Sequence, residues 1–279
     1  MVIKLSFCIT CMNRFWQIKT TLIQNLKDNY LDKEIIEFIL VDFNSNDGLK
    51  EFVLSQCQQE LNDGYLKYYF TDKLDTWDAS ITRNTSHNLG NGEILINLDA
   101  DNFTGYRGGK FIIDIFEQND KKVFIHQWCG EYRKGDYGRI GYYKNDFFNL
   151  GGYNQDFYPM GYLDTDLINR FIASGFTRVN IKDKEYNKAI PNNKNHSIQN
   201  CDGNMSWRKM NMCNLLLSQK NIITNNLIAN KDKEIGIRID ESEVKNVEDD
   251  FVVEKNVDND VNNKQPNFLS RIFFYLIDR

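Results

Sequence analysis

The feature that most limits how this chain can fold is a rhythm over its first hundred residues. Short apolar runs alternate with stretches of helical periodicity: IKLSFCIT, then 14–28; IEFILVD, then 48–62; YLKYYFT, then about 78–90; and finally ILINLD, which ends at Asp99. A parallel neighbour can be reached only by a crossover, so runs of strand formers separated by helices build a mostly parallel sheet. An α/β fold follows. Strand-like pieces at 122–128 and 138–143, the turn-rich GGYNQDFYPMG and a helix expected from about Leu163 to Ser174 make the second half more mixed. No internal repeat is visible.

In such sheets ligands bind at the carboxyl ends of the strands, and there the run Ile94–Leu98 stops on Asp99 and Asp101. Residues two apart in extended chain point the same way, so both carboxylates can face one hard cation. Taken alone, the pair reads either as a cation site or as a solvated Asp-rich turn.

Composition narrows the classes. At 279 residues, with 41% hydrophobic and 26% charged residues, the chain is an ordinary globular protein with one main core. The formal charge of −5 is concentrated in residues 239–260, where nine acids face Lys245 and Lys255. The rest is near neutral without a basic stripe, which argues against nucleic acid as a partner. No apolar run approaches transmembrane length. Six scattered cysteines, and opening residues that read as a strand rather than a leader, point to a reducing cytoplasmic setting. The pair Cys8 and Cys11 lacks a second pair at zinc spacing and lies within the expected first strand.

Several motifs, in order, resemble the GT-A fold of nucleotide-sugar glycosyltransferases, specifically the family-2-like group, over about residues 3–200. FCITCMNR resembles that group's first strand and turn, which implies Thr10 and Arg14 beside the nucleotide. VDFNSNDG is similar to its V-D-D-G-S-x-D-G turn, placing Asp42 toward the base, with Phe43 and Asn44 departing from the pattern. Arg83 and Asn84 match its R-N pair and imply contacts to nucleotide or phosphates. Asp99 and Asp101 match its D-x-D: the resemblance implies a Mn2+ or Mg2+ ion bridging the donor diphosphate, with Asp101 the direct ligand and Asp99 nearer ribose or sugar. FNLGGYNQDFYPMGYLDTDLINR resembles a galactosyltransferase-type carboxyl segment, which implies Asp164 as the general base. Tyr158, Met160, Tyr162, Leu163 and Asp166 then border the sugar and acceptor pocket, Met160 and Leu163 standing where the pattern has Trp and Glu. His196, in a His-Ser dipeptide, falls where similar enzymes place a histidine on the metal.

The implied architecture is a Rossmann-like GT-A domain over 1–215, a mostly parallel mixed sheet flanked by helices. A helical extension is expected over 216–238, an acidic linker over 239–265 and an amphipathic terminal helix over 266–279. The apolar face of that last helix suits either the protein body or a membrane surface. The implied activity is inverting, metal-dependent transfer of a hexose or N-acetylhexosamine from a UDP-sugar to a hydroxyl of a glycan or lipid-linked glycan. Bacterial surface polysaccharide synthesis, at the inner face of the membrane, is the expected setting. Two alternatives stay open: a catalytically silent sugar-binding or scaffold subunit, and a sugar-phosphate nucleotidyltransferase, although CITCMNRFW contains no glycine for that class's phosphate loop.

Overall fold

The computed structural model describes residues 2–119, 122–131, 135–191, 198–203 and 205–239. The chain divides into two units, Met1–Ile239 and Asp240–Arg279. The expected linker beyond Ile239, the expected terminal helix and His196 lie outside the described residues.

Seven strands, β1 (Leu5–Cys11), β2 (Ile36–Phe43), β3 (Leu66–Thr71), β4 (Ile94–Asn97), β5 (Val123–Gln127), β6 (Ile140–Tyr143) and β7 (Thr177–Ile181), form one sheet in the order β3-β2-β1-β4-β6-β5-β7. Among these described strands, β6 alone runs against its neighbours. Every residue of β1 and β2 is buried, so apolar side chains point to both faces rather than alternating with exposed polar ones, as a sheet covered on both faces requires, with Ser6, Thr10, Glu37 and Asp42 as buried polar exceptions. Helices α1 (Phe15–Asn29), α2 (Leu49–Gln56), α3 (Gln58–Asn62), α4 (Ala79–Leu89), α5 (Gly108–Gln118), α6 (Lys144–Asn149), α7 (Leu163–Ala173) and α8 (Trp207–Ile223) connect or flank the strands. The switch in strand order beside β1, with β2 on one side and β4 on the other, opens a crevice where β1 and β4 end.

The last part of the described chain differs from expectation. The helix expected over 216–238 is α8, which starts earlier, with the Ser206 hydroxyl accepting from Lys209 N at 3.3 Å, and stops at Ile223. Asn225 and Asn230 take left-handed backbones, φ +56° and +51°, which end helical growth. Residues 226–239 then run as a strap. Asn230 Nδ2 donates to the carbonyls of Gly151 and Tyr153, each at 2.7 Å. Gly236 N donates to Gln155 Oε1 at 2.6 Å, and Ile237 N to Thr85 Oγ1 at 2.8 Å. At Gly236, φ +78°, a Cβ would stand 2.6 Å from Thr85 N, so only glycine lets the strap lie on α4. Ile237 and Ile239 finish a small core around Met12, Ile39, Val41 and Phe43.

Candidate active site

A cleft of about 640 Å³ opens where β1 and β4 end. Its floor is held by α1. That helix carries polar residues at every fourth position on a buried face: Gln17, Thr21, Asn25 and Asn29. Thr21 Oγ1 donates to the Ala100 carbonyl at 2.6 Å, and Asn25 Nδ2 to the Asn102 carbonyl at 2.9 Å. Asn25 Oδ1 accepts from Thr104 N at 2.8 Å, and Asn29 Oδ1 from Gly109 N at 2.7 Å. The loop that carries Asp99 and Asp101 is thus stitched to α1 along three turns. These four positions share one side of a helix with period 3.6, so the ladder is a direct product of their spacing.

Arg83, from α4, is the hinge of the site. Its Nη2 donates to Asp99 Oδ1 at 2.8 Å and its Nη1 to Asp164 Oδ1, and its guanidinium lies 5.3 Å over the Tyr153 ring. Burial disfavours a charged guanidinium, but the Asp164 and Asp99 carboxylates outweigh it and push Arg83 further above its ordinary value. Asp99 is correspondingly held below the usual carboxylate range: burial opposes its ionisation, and Arg83 and the Asn97 amide overcome that cost. Asp101 goes the other way. Burial, then the Asp99 charge, push it up to about 7.

Asp164 sits in the first turn of α7, after two residues of left-handed backbone, Gly161 (φ +89°) and Tyr162 (φ +62°). The turn is pinned from α8. Asn214 Oδ1 accepts from Tyr158 N at 2.8 Å, while its amide nitrogen faces the carbonyls of Tyr158 and Gly161 at 3.0 and 2.8 Å. Gly161 packs so closely on Asn211 that a Cβ there would stand 2.8 Å from the Asn211 Cβ.

Of the residues singled out in the sequence, the structure brings Thr10, Arg14, Arg83, Asp99, Asp101, Met160, Tyr162 and Asp164 to the cleft wall. Five others lie away from it. Arg83 and Asn84 are about 100° apart on α4, so both cannot face the cleft. Asn84 is fully buried and clasps the Gly151–Tyr153 turn, its amide pairing with Tyr153 N and O, each at 2.8 Å. Asp166 is likewise rotated away from Asp164 and is fully buried against Arg170, at 2.7 Å. Leu163 belongs to the core. Tyr158 is 45% exposed and lines no part of the cleft. Asp42 is buried beneath the turn after β2, accepting from Ser45 N at 2.9 Å and Tyr68 Oη at 2.7 Å.

Other cleft residues were not singled out from the sequence. Trp77, Tyr137 and Trp207 add ring faces, and Trp77 Nε1 donates to Met160 Sδ at 3.3 Å. Gly138 lies against Arg83 and Asp99: a Cβ there would stand 2.9 Å from both Arg83 Nη2 and Asp99 Oδ2. Among the described residues no three His, Cys, Asp or Glu side chains gather around one point. The donor set at this edge is Asp101 with Asp99, hard oxygens whose shared negative charge is incompletely balanced. That donor set fits a hard divalent cation.

Residues 103–221 match the family model described as chondroitin N-acetylgalactosaminyltransferase. The match covers Asp164 and the Gly151–Gly152 turn and begins just after Asp101. Compared with curated proteins, the sequence has no match. Among solved structures, the mannosyltransferase PcManGT from Pyrobaculum calidifontis, in complex with GDP-Man and Mn2+, is similar with TM-score 0.60 and 16% identity, over 80% of this chain and 65% of that one. TarS 1–349 from S. aureus, in complex with UDP-GlcNAc, is similar with TM-score 0.57 and 14% identity, over 90% of this chain and 72% of that one. GalNAc-T7 with UDP, GalNAc and Mn2+ gives TM-score 0.52 and 14% identity, over 65% of this chain and 42% of that one. The chain thus spans about two thirds of the mannosyltransferase it resembles. Strand order, crevice position and these likenesses agree: the chain has the GT-A fold of nucleotide-sugar glycosyltransferases.

Proposed function

We propose that this cleft transfers a hexose or N-acetylhexosamine from a UDP-sugar to a glycan hydroxyl, with inversion at the anomeric carbon. The observation that carries the reading is the junction at Arg83, which ties Asp99, at the end of β4, to Asp164, at the start of α7. A single displacement needs a carboxylate to take the proton of the attacking hydroxyl and a separate centre to receive the charge of the departing diphosphate. Asp164 takes the first role, and a cation held at the Asp99–Asp101 edge would take the second. Arg83 orients both carboxylates, so the spacing between base and leaving group is fixed before substrate arrives. Arg14, half-buried at the same wall, places a second positive charge beside the phosphates. Trp77, Tyr137 and Trp207 offer rings on which sugar faces stack while their polar edges reach the hydroxyls.

Asp101, with Asp99, would hold a Mn2+ or Mg2+ ion, which when bound offsets the charge growing on the diphosphate. Synthesis of a bacterial surface polysaccharide, with a glycan or lipid-linked glycan as acceptor, is the setting we assign. The UDP complex of GalNAc-T7 and the UDP-GlcNAc complex of TarS favour uridine donors.

The test is a panel of UDP- and GDP-sugars assayed for transfer by the native chain and by Asp164→Asn. The amide keeps the shape of the carboxylate and can still accept from Arg83, but it is a poor proton acceptor, so turnover should fall by roughly 10²–10⁴-fold with donor affinity little changed. Near-native transfer by Asp164→Asn would place the base elsewhere, and no turnover with any donor by the native chain would support the silent-subunit reading.

A further inference from the structure

Helix α8 carries more apolar surface than packing on its own protein uses, since Met210 and Leu217 meet the body while other apolar residues stay outside. Its buried side carries Met210 with the polar residues Asn214 and Ser218, while Met212, Leu216 and Ile223 on the other side are 50%, 59% and 83% exposed. At about 100° per residue, Met212, Ile223 and Leu216 fall within a narrow arc at the centre of the exposed face. Arg208 and Gln219 lie along one shoulder of that arc, and Lys209 and Lys220 along the other. All four shoulder residues are exposed. No acid occurs anywhere between Trp207 and Ile223, although acids outnumber bases in the chain as a whole.

Each part of this pattern has a physical meaning. Asn214 is buried because it pins the turn before Asp164, which accounts for a polar side chain on the inner face. The outer face is a convex apolar ridge flanked by Arg208 on one side and by Lys209 and Lys220 on the other. We propose that this face of α8 docks on a lipid bilayer with anionic headgroups. Apolar side chains on a ridge can enter the boundary between headgroups and acyl chains, while basic side chains on both flanks remain at phosphate level. A second copy of the same face would set basic margins against basic margins, which opposes self-association through α8. No described helix is long and apolar enough to cross a membrane, so contact through α8 is contact at a surface. The proposal stands on α8 alone and does not depend on the assigned activity. It is also separate from the membrane contact expected of residues 266–279. If both hold, Trp207 and Asn211, which α8 lends to the cleft wall, bring that wall near the membrane.

The test is sedimentation of the full chain with vesicles of phosphatidylglycerol and phosphatidylcholine, and with vesicles of phosphatidylcholine alone. The native chain should bind the anionic vesicles and bind the neutral ones far more weakly. Leu216→Glu with Ile223→Glu should weaken anionic binding about tenfold or more, because two charges would enter the apolar boundary. Arg208→Gln with Lys209→Gln and Lys220→Gln should weaken it on the order of 100-fold at low salt. All five positions are on the exposed face and outside the cleft, so melting temperature and transfer to a soluble acceptor should stay as in the native chain. Native-like vesicle binding by either combined variant would overturn the proposal. Failure of the native chain to bind either vesicle would also overturn it, and would leave an acidic protein as the partner of this face.

Discussion

Gly138→Ala tests the site at its most crowded point. The added methyl would stand 2.9 Å from Arg83 Nη2, 2.9 Å from Asp99 Oδ2 and 3.4 Å from Asp164 Oδ1. Ordinary contacts to a methyl carbon begin at about 3.4 Å, so Arg83 and Asp99 must each retreat by about half an ångström. Arg83 has little room to do so, being tied to two carboxylates and laid on the Tyr153 ring. Asp99 is tied from the other side by Asn97 Nδ2 at 2.9 Å, and the same Asn97 amide donates to the Gly138 carbonyl at 3.1 Å. The strain therefore reaches the geometry that joins Asp164, the proposed base, to Asp99. Displacement by that amount should cost turnover roughly 10–100-fold. Overpacking a site this tight should cost about 1–3 kcal/mol of stability. Steady-state kinetics with the preferred donor, paired with thermal melting, reads both. A folded Gly138→Ala protein whose kcat stays within about twofold of native would refute the argument, because Arg83, Asp99 and Asp164 would then not be the groups that set the rate.

Three more perturbations address separate links. Asp101→Ala should remove the dependence of UDP affinity on divalent ions while leaving the fold intact, since the site lies at the end of a strand. Calorimetric titration of UDP with and without Mn2+ checks it, and an unchanged metal dependence would count against Asp101 as a ligand. Asn84→Asp would replace a donated hydrogen bond to the Tyr153 carbonyl by two facing acceptors in a fully buried position, and should cost about 3 kcal/mol or more by chemical denaturation. The third is a pH dependence. Burial, only partly offset by a hydrogen bond to the Arg83 carbonyl, lowers His87 to about 3, and burial similarly lowers His126 to about 4. Unfolded histidines bind protons near pH 6.5, so the contribution of these neutral rings is complete above that value and is lost as pH falls toward 4 and 3. The expected loss is a few kcal/mol, and a melting temperature flat from pH 7 to 4.5 would contradict it.

Much of the fold is legible in sequence because a buried parallel strand leaves a blunt signal. IEFILVD and IKLSFCIT are rich in apolar and β-branched residues, and both became interior strands of the sheet. Elements with weaker signals were harder to read. In β7 the residues Thr177–Ile181 are mostly exposed or half-buried, so no apolar run marks them. Helix α5 opens on Gly108–Gly109, which reads as a loop, yet Gly109 is there because a Cβ would stand 2.5 Å from Ile36 Cδ1. At the site, D-x-D and the aspartate that opens a helix are local patterns, and Asp99, Asp101 and Asp164 do reach the same cleft. Helical phase was the missing information for their neighbours. A motif quoted as consecutive letters suggests that Arg83 and Asn84, or Asp164 and Asp166, act together, but 100° and 200° of rotation send one of each pair inward. The ladder Gln17, Thr21, Asn25 and Asn29 was present as a period of four polar residues, a signal that a search for apolar periodicity passes over.

That ladder belongs to a wider pattern. The loops that carry the site leave the sheet edge without regular pairing, yet they are largely covered, so their peptide groups need partners from side chains. A primary amide is the side chain that presents a donor and an acceptor in peptide-like geometry. Asn84 meets both backbone groups of Tyr153, and Asn214 both backbone groups of Tyr158. Asn25 joins Thr104 N to the Asn102 carbonyl, and Asn230 joins Gln155 N to the carbonyls of Gly151 and Tyr153. Each clamp ties a loop to a different element, namely α4, α8, α1 and the strap. The loops bearing Asp99 and Asp164 are therefore positioned by groups that donate and accept at once, and no charge from the clamps is added to a site that already holds three carboxylates. Aspartate in any of these positions would keep the acceptor, lose the donor and bury a further negative charge against backbone carbonyls, which explains on electrostatic as well as geometric grounds why amides, rather than carboxylates, hold this cleft together.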